Sequence, residues 1–180
     1  MTMSRTTFLR ALAVVLWTCL IFVFSSEPYE KQSIQPLLHE KLGDSGLLQA
    51  MPDLAITYND TTLSTQRDPF QFVEFIFRKG AHLFMYGVLA AGWSLLLGAR
   101  VRGGRLLVLV MAAVALTASL DEWNQSHVAG RYSLPSDVGI DIVGGLMGFM
   151  SVQVLNLLHI VLTRYRLYHR METVKRGDTS

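Results

Sequence analysis

Hydrophobic and polar positions fall in long blocks along this chain. A bilayer core takes about 20 apolar helical residues, and four stretches approach that length. They are Phe8 to Phe24, broken only by Arg10; Ala81 to Ala99, free of Asp, Glu, Lys and Arg; Leu106 to Leu120, extendable through Trp123; and Ile142 to Thr163. No charge sits at the centre of any run, where it would cost several kcal/mol. Asn156 and His159 lie deep in the fourth run and are expected to pack or to hydrogen-bond between helices. Trp17, Trp93 and Trp123 read as interface or packing aromatics.

Between the first two runs lie residues 25–80, long for a structureless connection. Within them Ile34, Leu37, Leu38 and Leu42 recur at helical spacing among Glu40, Lys41 and Asp44, which predicts a short amphipathic helix on the membrane face or capping the bundle. Ile56 to Gln66 is Thr-rich and is expected to be irregular. Asp68-Pro69-Phe70-Gln71 reads as a helix start, with Asp as N-cap, Pro in the first helical position and Gln three residues after the cap. The second helix should therefore begin outside the membrane and carry Phe70, Phe72, Phe75 and Phe77 through the interface.

Composition agrees with this pattern. Of 180 residues, 51% are hydrophobic and 17% charged, well below the usual quarter for soluble domains. Disorder is excluded for most of the chain, because disordered chains are polar and highly charged. The single cysteine, Cys19, excludes an intrachain disulfide framework and Cys-based metal sites. A net charge of +2 is too small to point to nucleic acid, and none is expected as a partner.

Charge distribution orients the helices, since Lys and Arg gather on the cytoplasmic side. Residues 1–10, 100–105 and 164–180 hold ten of the 16 basic residues and only two acids, Glu172 and Asp178. The other 12 acids lie in 25–80 and 121–141. The first run has the basic start of a signal peptide, but Phe24 stands where a small residue would precede the cut, so it is read as an uncleaved anchor. The expected fold is an all-α membrane protein: a four-helix transmembrane bundle with both termini cytoplasmic and a partly helical outer loop. Its expected parts are a first anchor (1–25), an extracytoplasmic loop (26–68), a three-helix core (69–164) and a basic tail (165–180).

The polar residues then converge. Arg78, Lys79, His82 and Tyr86 open the second span; Asp121, Glu122, Asn124 and Gln125 end the third; His127 and Arg131 follow in the connector; Asp137 and Asp141 open the fourth. All lie at the outer ends of their helices. Lys79, His82 and Tyr86 share one helical stripe. Asp137 and Asp141 share another with Gly144, Gly145 and Gly148, small residues of the kind that mark close helix approach in membranes. These carboxylates should therefore point into the bundle, where ionisable groups are rare and usually functional.

His82, Glu122 and Asp137 are the candidate catalytic residues, as acid and base groups. Lys79, Tyr86, Asp121, Gln125, Arg131 and Asp141 are the candidate substrate-binding residues, the two cations suited to a phosphate or carboxylate. The cluster holds enough hard ligands for a divalent cation. No tight HxxxH or ExxH spacing backs one, so no metal ligand is assigned and the cofactor stays unknown. No Gly-rich phosphate loop and no nucleophile elbow is present.

Lys79-x-x-His82-x-x-x-Tyr86, Asp121-Glu122-x-x-Gln125, Gly130-Arg131 with Asp137 six residues on, and the Gly144/Gly148 pair together resemble the VanZ-like family. The resemblance covers roughly Arg78 to Gly148 with its flanking spans. It implies a small bacterial integral membrane protein of the inner membrane, linked to cell-envelope processes or glycopeptide (teicoplanin) susceptibility, with Lys79, His82, Tyr86, Glu122, Gln125, Arg131 and Asp137 as its motif residues. The family often has Asn where this chain has Asp141. Three functions are in play: such an envelope protein, acting on a membrane lipid or cell-envelope component; a membrane-embedded hydrolase or transferase with a lipid-linked substrate; and a non-catalytic scaffold recruiting a protein partner, of unknown identity, through segment 30–50.

Overall fold

The computed structural model describes residues 4–43, 46, 50–59, 61–129 and 135–177, with side chains as far as residue 167. Its helices are α1 (Arg5–Ser25), α2 (Tyr29–Gln32), α3 (Gln35–Leu42), α4 (Pro69–Leu97), α5 (Gly104–Gln125) and α6 (Pro135–Gly177). Two strands, β1 (Ala55–Tyr58) and β2 (Thr61–Ser64), pair antiparallel ahead of α4. Helices α1, α4, α5 and α6 are each long and apolar enough to cross a membrane. The fold is the expected all-α four-helix arrangement with a partly helical loop.

Helix starts follow local chemistry. Ser4 caps α1 by accepting from the Thr7 amide. Asp68 caps α4 by accepting from the Gln71 amide at 2.9 Å, with Pro69 in the first turn, where its missing N–H costs nothing. The helices run alternately up and down. Arg10 of α1 donates to the Leu95 carbonyl near the end of α4, and Trp17 donates to the Met85 carbonyl at 2.8 Å, so these two helices are antiparallel. Lys79 meets Asp137 and His82 meets Asp141, so α4 and α6 run parallel. The start of α1 and the end of α6 consequently lie on one side of the bundle.

The core is a ladder on α5, Leu106, Val110, Val114 and Ala118, closed by Tyr86, Leu89 and Ala90 of α4, Val14 and Ile21 of α1, and Phe149 of α6. Among the described residues the α4–α6 contact is the most extensive. Small residues make it so. A Cβ on Gly144 would stand 2.5 Å from the Leu83 carbonyl oxygen, and one on Gly148 would collide with Gly87. Without side chains there, the two backbones touch, which is how membrane helices gain dispersion contacts when lipid is as apolar as leucine.

Two expectations are corrected. The Thr-rich stretch is a β-hairpin, not an irregular segment. Ile56 pairs with Leu63, and Thr57 with Thr62 through their hydroxyls at 3.1 Å. Asn59 takes the positive φ of 45° that the turn needs, a conformation Asn tolerates better than most residues. Asn156 and His159 are not packed between helices: every residue from 154 to 167 is exposed. The amphipathic helix does form as α3, with Ile34, Leu38 and Leu42 half-buried and Leu37 exposed. It rests on the start of α4, where His39 stacks on Phe70 with ring centroids 3.7 Å apart.

Candidate functional site

The last turn of α5 exchanges its apolar ladder for Asp121, Glu122 and Gln125, all buried. Facing it are His82 and Tyr86 of α4 and Asp141 of α6. Asp141 is fully buried, Asp121 is 2% exposed and Tyr86 1%. His82 Nδ1 lies 3.0 Å from Asp141 Oδ1. Gln125 donates its amide to Asp121 Oδ2 at 3.0 Å, which fixes that carboxylate along its own helix. The His82 and Tyr86 rings lie nearly parallel, one turn apart, at 6.5 Å. One donor atom from each of His82, Asp121 and Asp141 falls within 4.8 Å of the others. Asp121 Oδ1, Asp141 Oδ2 and Tyr86 Oη are buried without a hydrogen-bond partner among the described residues.

This group borders a cavity of about 550 Å³. His82, Tyr86, Asp121 and Gln125 form its polar end, Ile21, Phe24, Phe77 and Met85 supply apolar wall, and the remaining lining carries two cations, Lys31 and Arg78, and two acids, Glu27 and Glu74. Such a mixture of apolar wall and few convergent polar groups is what small-molecule sites present.

A second knot lies beside it. Asp137 accepts from Lys79 at 2.5 Å and from the Tyr58 hydroxyl of β1. The Lys79 ammonium also sits 4.4 Å from the Tyr58 ring centroid, a cation–π contact. Asn59 of the hairpin turn donates to Ser136 at 2.7 Å. Burial first, then the bond to Asp137, raise the Tyr58 phenol from 10.0 to about 12. A third knot centres on Glu74, which is 6% exposed. It accepts from the Tyr29 hydroxyl at 3.0 Å, the Ile34 amide at 3.2 Å and the Gln35 side chain at 2.5 Å. Burial and Glu74 together raise the Tyr29 phenol, which also lies under the Arg78 guanidinium.

A family model described as VanZ/LLP1 matches residues 10–156. The chain belongs to the VanZ/LLP1 family. No curated protein and no solved structure matches it. As a VanZ/LLP1 protein with four helices long enough to span, it is a multi-pass membrane protein.

In this VanZ/LLP1 chain the candidate residues separate into two groups. His82, Tyr86, Asp121, Gln125 and Asp141 come together at the cavity end. Lys79 and Asp137 pair with each other and with the hairpin, outside the cavity lining. Glu122 is buried next to Asp121 on α5 and is not one of the cavity-lining residues. Arg131 lies outside the described residues. Exposed His127 turns back on its own helix end, against Trp123.

Glu74, Tyr29 and Tyr58 escaped the sequence reading. Glu74 carried a signal: with Arg78, His82 and Tyr86 it forms an i, i+4 ladder, and it is the one acid in an otherwise aromatic approach to the membrane. Tyr58 carried none, because its contact with Asp137 joins residues 79 positions apart.

Proposed function

We propose that this VanZ/LLP1 protein acts at the outer face of the bacterial inner membrane on an amphiphilic component of the cell envelope, and thereby alters susceptibility to glycopeptides such as teicoplanin. The observation that carries the reading is the cavity, with an imidazole, a carboxylate and an amide at one end, apolar side chains along its wall, and Lys31 and Arg78 in its lining beside Glu27 and Glu74. A headgroup suits the polar end and an acyl or isoprenoid chain suits Phe24, Phe77 and Met85. His82, Asp121 and Asp141 form the working centre that meets the headgroup, while Lys79 and Asp137 hold the hairpin and α6 in place. The outer side follows from the basic bias of the opposite loops.

The test is complementation. A strain lacking the protein regains its teicoplanin phenotype with the wild type but not with Asp121→Asn or Asp141→Asn, while immunoblots of the membrane fraction show equal protein. Full complementation by both variants would overturn the reading; loss of insertion would assign those acids to folding.

A second reading, a hydrolase or transferase working on a lipid-linked substrate, is favoured by the uncompensated acceptors at the cavity end. It predicts turnover of a lipid phosphate by purified protein, lost in His82→Asn. No conversion of lipid-phosphate or isoprenoid-linked substrates, with or without divalent ions, would exclude it.

A further inference from the structure

We propose that His82, Asp121 and Asp141 bind one divalent cation of the zinc or manganese class. Three observations converge. A donor atom from each residue lies within 4.8 Å of the other two, and the closest pair, His82 Nδ1 and Asp141 Oδ1, stand 3.0 Å apart. Ligands bonded at roughly 2.0–2.2 Å to one ion stand about 3–4 Å from each other, so modest side-chain rotation closes the set. The donors come from three different helices, so the ion would tie α4, α5 and α6 together.

The second observation is the state of the carboxylates. Asp121 and Asp141 are 2% and 0% exposed, and Asp121 Oδ1 and Asp141 Oδ2 have no hydrogen-bond partner among the described residues. Two buried carboxylates so close repel one another, and a buried acceptor left unmade is costly. A divalent cation removes both penalties at once. His82 meets only one oxygen of Asp141, and neither other nearby base does so: Lys79 is engaged by Asp137, and Arg78 lies over Tyr29.

The third is the surrounding shell. Gln125 holds Asp121 by Oδ2 and leaves Oδ1 directed elsewhere, the arrangement by which an outer partner orients a metal ligand. Tyr86 Oη makes no hydrogen bond of standard geometry among the described residues and lies beside Asp121, in place to orient that ligand. His82 and Asp121 both line the cavity while Asp141 does not, so the ion would have a protein-closed back and an open side toward the cavity. Three protein ligands and one open position is the pattern of a reactive rather than a purely structural centre. One imidazole with two carboxylates suits zinc or manganese better than calcium, which takes six to eight oxygens.

The proposal rests on reading this cluster as the working centre, but metal uptake is measurable without any phenotype. Full-length protein is purified in detergent, stripped with chelator, and titrated with zinc or manganese chloride under equilibrium dialysis. The expected result is one equivalent per chain, with affinity about tenfold or more weaker in Asp121→Asn and in Asp141→Asn, and unchanged in His127→Ala. Should either aspartate variant fail to fold, the wild type decides: bound Mn(II) should show nitrogen hyperfine coupling from His82 in its electron paramagnetic resonance. No stoichiometric uptake of either metal, uptake insensitive to both aspartate substitutions, or bound manganese without nitrogen coupling would each overturn the site. Intact uptake with no teicoplanin phenotype would instead sink the functional reading.

Discussion

Gly144 of α6 lies against the backbone of Leu83 of α4, so close that a Cβ would stand 2.5 Å from the Leu83 carbonyl oxygen. Leu83 directly follows His82, and Gly144 lies one turn beyond Asp141. The glycine contact therefore sets the distance at which His82 and Asp141 meet.

Gly144→Ala should push the helices apart, costing about 1–3 kcal/mol as an overpacked contact and breaking the His82–Asp141 pair. Gly139→Ala is the control. It lies on the same helix, and a methyl group there would meet nothing within 4 Å, so it should be neutral or slightly stabilising, by up to about 1 kcal/mol. Thermal unfolding in detergent reads both. Equal melting temperatures for the two variants would show that α4 and α6 are not in backbone contact.

Much of this was legible in the sequence. Span lengths and helix starts are local properties, and the Gly144/Gly148 stripe with Asp137 and Asp141 announced the tight face of α6. What stayed hidden depended on distant partners. The hairpin is short, and its alternation was masked by threonines that read equally as loop. The division of the acids, Asp137 to the hairpin and Asp141 to His82, depends on which helix each meets, and i, i+4 spacing alone does not tell the two apart. The expected contacts of Asn156 and His159 failed because a polar residue in an apolar run does not reveal how far along the span the neighbouring helices stay in contact.

Glu74 should govern the order of the segment over the cavity. It is the common acceptor for Tyr29, the Ile34 amide and Gln35. Glu74→Ala strips all three donors of their partner, a loss of about 1–3 kcal/mol. Hydrogen exchange of peptides covering residues 29–36 should accelerate about tenfold or more, with α5 unaffected. Unchanged exchange there would mean that the segment is held by something other than Glu74.

Trp17 joins α1 to the bundle. Its indole N–H donates to the Met85 carbonyl at 2.8 Å, and its ring packs edge-on to Phe84. Trp17→Phe keeps most of the apolar contact and removes the hydrogen bond, so about 0.5–1.5 kcal/mol should be lost. Chemical denaturation in mixed micelles measures this. A Trp17→Phe protein as stable as wild type would place α1 loosely against α4.

Tyr58 sets an alkaline limit on the docking of the hairpin. Its hydroxyl donates to Asp137, and only the protonated phenol can do so. Burial and that bond raise its pKa from 10.0 to about 12. A group whose folded pKa is raised stabilises the fold in its protonated form. The contribution is complete below the ordinary value of 10.0 and is lost as pH rises through about 12. Neutral to mildly alkaline solutions should therefore leave the hairpin docked. The chain has six tyrosines, so a single alkaline absorbance titration mixes their phenols. Subtracting the Tyr58→Phe titration from that of the wild type isolates one. The difference should show a phenolate appearing well above 10.0, close to 12. At neutral pH Tyr58→Phe should cost about 0.5–1.5 kcal/mol and raise proteolytic cleavage at the hairpin. A difference titration centred on the ordinary tyrosine value would mean that Tyr58 does not reach Asp137, and the head of α6 would then be tied by Lys79 and by the Asn59–Ser136 bond.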